Sequence, residues 1–231
     1  MTPTPRELAR ERTEAEILRL AREQLATSGP ADLSLRAIAR ELGIVSSAIY
    51  RYVRNRDELL TLLVIDGYNE LGDAVDRATS AVDEDDYLGR FIALGRAVRS
   101  WALAEPARYA LLYGTPVPGY DAPGERTIEP GTRVIVALVR IVDDAWSAEA
   151  LRTEGPEVPA KVIDDFEQIR AEFSLAAPAE VLARATLVWP ALFGCVTFET
   201  FGQYGADTFT DTTELFELHL RQFAGVLGLT G

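Results

Sequence analysis

A short stretch near the amino terminus combines arginine, tyrosine and small polar side chains and contains few acids. Residues 42–56 hold Arg51, Arg54 and Arg56 and no acidic residue, although the whole chain has a net charge of −13. Arginine and tyrosine donate hydrogen bonds to phosphate oxygens, and small side chains let a helix approach base edges closely. These residue types therefore indicate recognition of a polyanion such as duplex DNA.

The distribution of charge along the chain supports this interpretation. Residues 1–60 carry ten arginines and nine acidic residues, whereas residues 61–231 carry thirteen basic and twenty-seven acidic residues. An acidic surface repels polyanions, so the short basic window predicts where one could bind.

Two short helices joined by a tight turn are predicted to position this window. Ser34 is a candidate N-cap for the first of them, which ends at Gly43, and the second covers about residues 46–53. If Ile49 faces the core, residues two positions away point about 160° from it, at 100° per residue. Ser47 and Arg51 would then face outward, which is the arrangement of a helix-turn-helix.

Helical periodicity extends over the remaining chain, and an all-α protein is expected. A first helix precedes the window, and Asn55 followed by Glu58 predicts the start of a fourth. We expect a small three-helix head over residues 1–55 and a larger helical body over residues 56–231. The other predicted helices cover about residues 6–27, 55–81, 83–104, 106–113, 132–152, 158–173, 179–204 and 211–227, with a loop over 114–126.

Several classes of function are unlikely from composition. The single cysteine, Cys195, excludes an intramolecular disulfide and a multi-cysteine metal cluster. The single histidine, His219, leaves no choice of base for a Ser/His/Asp triad. We expect no catalytic residues, no metal and no cofactor.

The sequence also predicts a cytoplasmic protein. The amino terminus is charged and lacks the apolar core of a secretory signal. The longest apolar run without charge, residues 185–198, is shorter than the roughly 20 residues of a membrane helix and contains Pro190. We expect it to form a buried helix, with no membrane association.

Residues 34–60 resemble the DNA-binding signature of the TetR family of bacterial regulators, and residues 12–71 cover the whole unit. Val45 stands where a serine or threonine normally caps the recognition helix, so Ser46 is the alternative cap, and Val53 replaces an aromatic residue. The matching residues are Ser34, Ile38, Ala39, Gly43, Ile44, Ile49, Tyr50, Tyr52, Arg56, Leu59 and Leu60.

The resemblance implies a helix-turn-helix head on a helical body that holds a small molecule and dimerises through its last two long helices. The run over residues 106–120, which contains GTPVPGY, resembles a subset of the family. The predicted DNA contacts are Ser34, Arg36, Ser46, Ser47, Ala48, Tyr50, Arg51, Tyr52 and Arg56. A solvated helix face is the alternative for them.

Aromatic residues form the predicted effector pocket of the body, and apolar helix stripes form its predicted dimer interface. Six aromatic residues are candidates for an effector pocket, with plain core as the alternative: Trp101, Tyr109, Tyr113, Trp146, Trp189 and Phe193. The candidate dimer interface has one stripe in each of the last two helices: Val181, Ala185, Val188 and Leu192, then Leu215, Leu218 and Phe223.

The leading hypothesis is a homodimeric transcriptional repressor that binds a palindromic DNA operator and is released by a mostly apolar small-molecule effector. One alternative is a helical-bundle enzyme or binding protein for a hydrophobic small molecule. Another is an effector-independent regulator that protein partners control.

Overall fold

The computed structural model describes residues 4–152 and 156–229. These residues form ten α-helices, and the β-pairing among them is one isolated bridge between Leu151 and Leu229. The all-α prediction is confirmed. The helices are α1 (Pro5–Ser28), α2 (Leu35–Glu41), α3 (Ser46–Ile49), α4 (Arg56–Ser80), α5 (Tyr87–Ala104), α6 (Pro106–Tyr113), α7 (Gly124–Ser147), α8 (Ala160–Phe173), α9 (Ala179–Thr200) and α10 (Thr212–Leu227).

Polar side chains define several helix starts. Thr4 and Glu7 form a capping box at α1, where each side chain accepts a hydrogen bond from the other residue's backbone N–H, and Pro5 follows the cap. The Ser34 hydroxyl accepts from the Ala37 N–H at 3.3 Å, and the Asn55 side chain accepts from the Glu58 N–H at 2.8 Å. The starts predicted for α2 and α4 are therefore confirmed.

Several predicted helix boundaries are wrong. α5 begins at Tyr87 instead of residue 83, α7 ends at Ser147 instead of residue 152, and α9 ends at Thr200 instead of residue 204. α3 ends at Ile49, and a turn closed by hydrogen bonds such as Tyr52 N–H to Ile49 C=O, 2.9 Å, replaces its expected last turn. α7 begins eight residues earlier than expected and continues through Pro130. The early part of α7 is held by packing, since Thr127 is buried and Gly131 lies against the Tyr68 ring.

The chain forms two compact units, and they do not divide at residue 55. Unit 1 contains residues 1–70 and 105–131, and unit 2 contains residues 71–104 and 132–231. α4 and α7 each contribute residues to both units. The predicted boundary missed that α6 and the following loop belong with the head.

The core of unit 1 joins the head helices with the loop after α6. Ile17, Leu20 and Leu25 of α1 and Ile38 of α2 are buried together with Ile49 and with Leu59, Leu60 and Leu63 of α4. Half-buried Leu111, Val117 and Tyr120 pack against this core. Burial of apolar surface therefore fixes the position of α3.

Unit 2 has a core built mainly from α5, α7, α9 and α10. α9 is long and apolar enough to cross a membrane by length and composition, as core helices of globular proteins also can be. Its Val181, Ala185, Val188 and Leu192 are buried in this core, as expected for the apolar run over residues 185–198.

Candidate nucleic-acid interface

The turn between α2 and α3 depends on a glycine. Gly43 has φ +68°, a left-handed conformation that costs a residue with a Cβ atom free energy. Its N–H donates to the Arg40 carbonyl at 3.1 Å, and the next N–H, of Ile44, donates to the Ala39 carbonyl at 3.0 Å. Ile44 packs against the unit 1 core. The turn thus sets the direction in which α3 leaves α2.

α3 begins at Ser46, as predicted, but the alternative in which Ser46 caps the helix is wrong. Ser46 is the first helical residue and not the cap, because Val45 occupies the N-cap position. The Val45 side chain makes no capping hydrogen bond and is 70% exposed. The Ser46 and Ser47 side chains are exposed, so their hydroxyls face solvent.

α3 has one buried face and one exposed face, as predicted. Ile49 is fully buried and Val53, just after the helix, is 2% exposed. Ser47, Tyr50 and Arg51 are exposed. The core therefore holds α3 and the turn after it with small, polar and basic side chains directed outward, and Ala48 is half-buried at the flank of α3.

Three predicted contact residues have structural roles in unit 1. The Ser34 hydroxyl caps α2, and its N–H donates to the Gln24 side chain at 3.0 Å. The Arg56 guanidinium donates to the Pro30 carbonyl at 2.7 Å, which ties the start of α4 to the segment after α1. Tyr52 is half-buried against the core. We therefore assign Arg56 and Ser34 to the scaffold of the head, whereas Arg36 is exposed on α2.

A basic groove adjoins the exposed face of α3. It is lined by Arg6 and Arg10 of α1 and by Arg51 and Tyr52, which follow α3. The Arg10 guanidinium carbon lies 5.8 Å from the centroid of the Tyr52 ring. Sequence reasoning did not find Arg6 and Arg10, because they precede Arg51 by 45 and 41 positions and only tertiary folding brings them together.

Comparison with known proteins agrees with this geometry. Residues 17–63 match the family model described as bacterial regulatory proteins, tetR family. Residues 91–223 match the model described as tetracyclin repressor-like, C-terminal domain. The chain belongs to the TetR family. It is therefore a DNA-binding transcriptional regulator and not an enzyme, which removes the enzyme alternative.

Relatives and solved structures cover nearly the whole chain. The HTH-type transcriptional regulator Rv1816 of Mycobacterium tuberculosis is 47% identical over 219 residues, which cover 95% of this chain and 94% of that protein. The solved regulatory protein SCO4313 is 36% identical with a TM-score of 0.76, covering 96% of this chain and all of that one. FadR of Bacillus subtilis, solved with stearoyl-CoA, is 14% identical with a TM-score of 0.61, covers 94% of this chain and 99% of that one, and shows the fold alone.

The aromatic residues predicted to line one effector pocket of this TetR-family chain are divided between the two units. Tyr109 and Tyr113 belong to unit 1, where their ring centroids are 5.1 Å apart and burial raises the pKa of Tyr113. The other four belong to unit 2. Trp101 and Phe193 are buried there and Trp146 is half-buried, whereas Trp189 is 36% exposed.

Trp189 lines an apolar cavity of about 260 Å³ between α7, α8 and α9. Val136 and Val139 of α7 and Ile169 and Phe173 of α8 form much of its wall. A second, more open groove of about 520 Å³ lies between α8, α9 and α10. Of the six predicted residues, Trp189 is the one that lines this cavity.

The α9 residues predicted to form the dimer interface lie in the core of unit 2 instead. These four residues, Val181, Ala185, Val188 and Leu192, are at most 1% exposed within a single chain, so they cannot contact a second one. Leu187 and Phe198 lie on the exposed face of the same helix. On α10, Leu218 is exposed as predicted, and Leu215 and Phe223 are half-buried.

Proposed function

We propose that this chain is a cytoplasmic repressor that binds a palindromic operator as a homodimer and is released by a small apolar effector. The observation that carries the proposal is the geometry of α3. Ile49 anchors the helix in the core, and Ser47, Tyr50 and Arg51 point to solvent within a window free of acidic residues. A helix held in this way can enter the major groove of duplex DNA.

The exposed residues divide into two kinds of DNA contact. Ser46, Ser47 and Ala48 are small and precede the buried Ile49, so we assign them to base edges. Tyr50, Arg51 and Arg36 are exposed donors, and we assign them to phosphates on either side. Changes in the first group should alter sequence preference, and changes in the second should weaken all binding alike.

A second copy of the chain is the partner that the exposed faces of α9 and α10 favour. Leu187, Gly194 and Phe198 lie at helical spacing on α9, and Leu187 is 60% exposed. Leu218 and Val226 are exposed on α10. Two such helices from each subunit can form a four-helix interface, and its two-fold symmetry would require a palindromic operator.

The cavity beside Trp189 is our candidate for the effector site. The Thr186 hydroxyl donates to the Ala183 carbonyl at 3.0 Å, and the Arg140 guanidinium donates to the Phe173 carbonyl at 2.8 Å. Apart from these two side chains and Thr132, the lining is apolar, so the cavity suits a mostly apolar molecule. An effector bound in unit 2 would release DNA only if it binds more tightly to a conformation in which the two recognition helices of the dimer are wrongly spaced for the operator.

Selection from a random duplex library tests the DNA-binding proposal. We expect the full-length protein to enrich a palindrome whose half-sites lie about 34–36 Å apart or a multiple of that distance. Ser47→Ala should enrich an altered sequence, whereas Arg51→Ala should enrich the same one more weakly. Enrichment of duplexes without two-fold symmetry would contradict a dimer reading two half-sites.

A further inference from the structure

The basic groove beside α3, which we call the α1–α3 groove, has a volume of about 660 Å³. It lies within unit 1 between the first turns of α1 and the turn that follows α3. Three arginines line it, namely Arg6, Arg10 and Arg51. Neither α1 arginine belongs to the helix-turn-helix.

We propose that the α1–α3 groove holds a phosphodiester group of the operator backbone, with Arg6 and Arg10 as contacts additional to Arg51. The inference rests on the proposed DNA-binding function and extends the interface from α3 to α1. It makes α1 a phosphate-binding element as well as a support for the head.

The charge in the groove favours an anion. Its acidic side chain, Glu7, accepts a hydrogen bond from the Thr4 N–H at 2.7 Å as part of the capping box. Hydrogen bonds from Thr4 hold the pKa of Glu7 below its ordinary value, so one negative charge faces three positive charges. The amino-terminal end of the α1 dipole adds further positive potential.

Arg10 can exchange its present partner for phosphate. Arg10 pairs with Glu14 at 2.8 Å, but 61% of the Arg10 side chain and 43% of the Glu14 side chain are exposed. Such exposed pairs stabilise a protein little, so a phosphate can replace Glu14 at low cost. A phosphate also accepts charge-assisted hydrogen bonds from several guanidinium groups at once.

Tyr52 fixes the position of the groove relative to α3. Its ring packs against the unit 1 core, and the Arg10 guanidinium lies 5.8 Å from the ring centroid. Arg10 is thereby held close to the exposed face of α3. When a recognition helix occupies the major groove, the flanking backbone runs past its ends, and this proximity favours DNA over an acidic protein as the occupant.

The dependence of binding on salt tests the proposal. We would measure the affinity of the full-length protein for a duplex enriched by the wild type, between about 50 and 200 mM KCl. In Arg6→Gln/Arg10→Gln, the slope of log affinity against log salt should become shallower by up to about 1 for each bound subunit, because one phosphate loses two of its three arginines. The matched control is Arg19→Gln/Arg77→Gln, which removes the same charge from exposed positions outside the groove.

The outcomes separate this proposal from the proposed function. A slope for Arg6→Gln/Arg10→Gln equal to that of the control, with steep salt dependence in the wild type, would overturn the groove assignment and leave DNA binding intact. Failure of the wild type to bind any duplex would instead contradict the proposed function. A variant that keeps the DNA slope but changes the sedimentation coefficient would assign the groove to a protein contact and also overturn the proposal. Circular dichroism should show unchanged folding, because Arg6 and Arg10 are exposed.

Discussion

Arg108 of α6 donates a hydrogen bond to Asp66 of α4 at 2.8 Å, although Arg108 is only 2% exposed. The same guanidinium donates to Glu70 at 2.8 Å, and Arg22 of α1 also pairs with Asp66. Three helices of unit 1 therefore meet at one buried cation. This arrangement explains why α6 belongs to the head, together with the bond between Thr61 and Tyr120 at 3.0 Å.

Replacing Arg108 should destabilise the protein strongly. Arg108→Met removes the buried cation and its hydrogen bonds to Asp66 and Glu70. Because Arg22 still pairs with Asp66, we expect a loss of about 2 kcal/mol, the range of hydrogen bonds to charged groups. Arg96→Met is the control, because Arg96 is 59% exposed in its pair with Glu217 and should cost less than about 1 kcal/mol. Urea denaturation followed by circular dichroism measures both. Equal losses of stability in the two variants would show that the buried cluster contributes no more than a surface pair.

Adjacent residues of α9 should separate dimerisation from stability. Leu187→Glu places a charge on the exposed face and should yield a species of 25.3 kDa in sedimentation, the mass of one chain. Val188→Ala removes buried methyl groups and should keep the dimer while lowering stability by about 1–2 kcal/mol. A Leu187→Glu protein that still sediments as a dimer would place the interface elsewhere.

Filling the cavity beside Trp189 should remove the response to an effector. Val139→Phe adds volume at the α7 wall, and we expect normal operator binding without release by an apolar molecule that releases the wild type. Val162→Phe is the control, because Val162 lines the other groove, between α8, α9 and α10, and lies outside the proposed dimer face. Fluorescence anisotropy of a labelled operator measures release. If no member of a panel of apolar molecules releases the wild type, control by protein partners becomes the favoured alternative.

Acid should weaken the contact between α5 and α9. Arg99 donates two hydrogen bonds to the Glu199 carboxylate at 2.6 Å, and their side chains are 15% and 10% exposed. Burial raises the pKa of Glu199, but the hydrogen bonds from Arg99 and Thr212 outweigh it and leave the pKa below its ordinary value. A carboxyl whose pKa is lowered by folding stabilises the protein fully above its unfolded pKa of about 4.3 and loses that contribution as pH falls through the folded value.

The wild type should therefore lose more thermal stability between about pH 5 and pH 3 than Glu199→Gln. Melting temperatures across this interval provide the measurement. Other carboxylates titrate in both proteins, so the difference between the two curves isolates Glu199. Parallel curves would mean that this ion pair does not contribute to acid sensitivity.

The helix-turn-helix could be predicted from the sequence because its determinants are local. Ser34 caps the helix that it precedes, Gly43 supplies the left-handed turn, and Ile38 and Ile49 fall where helical spacing requires buried residues. Each of these features depends on neighbours within a few residues, so the sequence shows them directly. The family resemblance rests on the same local features.

The tertiary structure decided which apolar face of α9 is core. Val188 and Leu187 are adjacent and both apolar, yet one is buried and the other is 60% exposed. On a helix that is apolar around most of its circumference, periodicity cannot distinguish a core stripe from a partner stripe. Only the packing of α9 against α5 and α10 decides which of its faces is buried.

Charged contacts between distant segments were likewise set by folding alone. Arg108 and Asp66 are 42 residues apart, and Arg10 and Tyr52 are also 42 residues apart. No local pattern marks such pairs, because hydrogen bonds and cation–π contacts depend on distances that only the packed core fixes. The sequence by itself determined that this chain carries a DNA-reading helix. The tertiary structure decided which arginines support that helix and which remain exposed beside it.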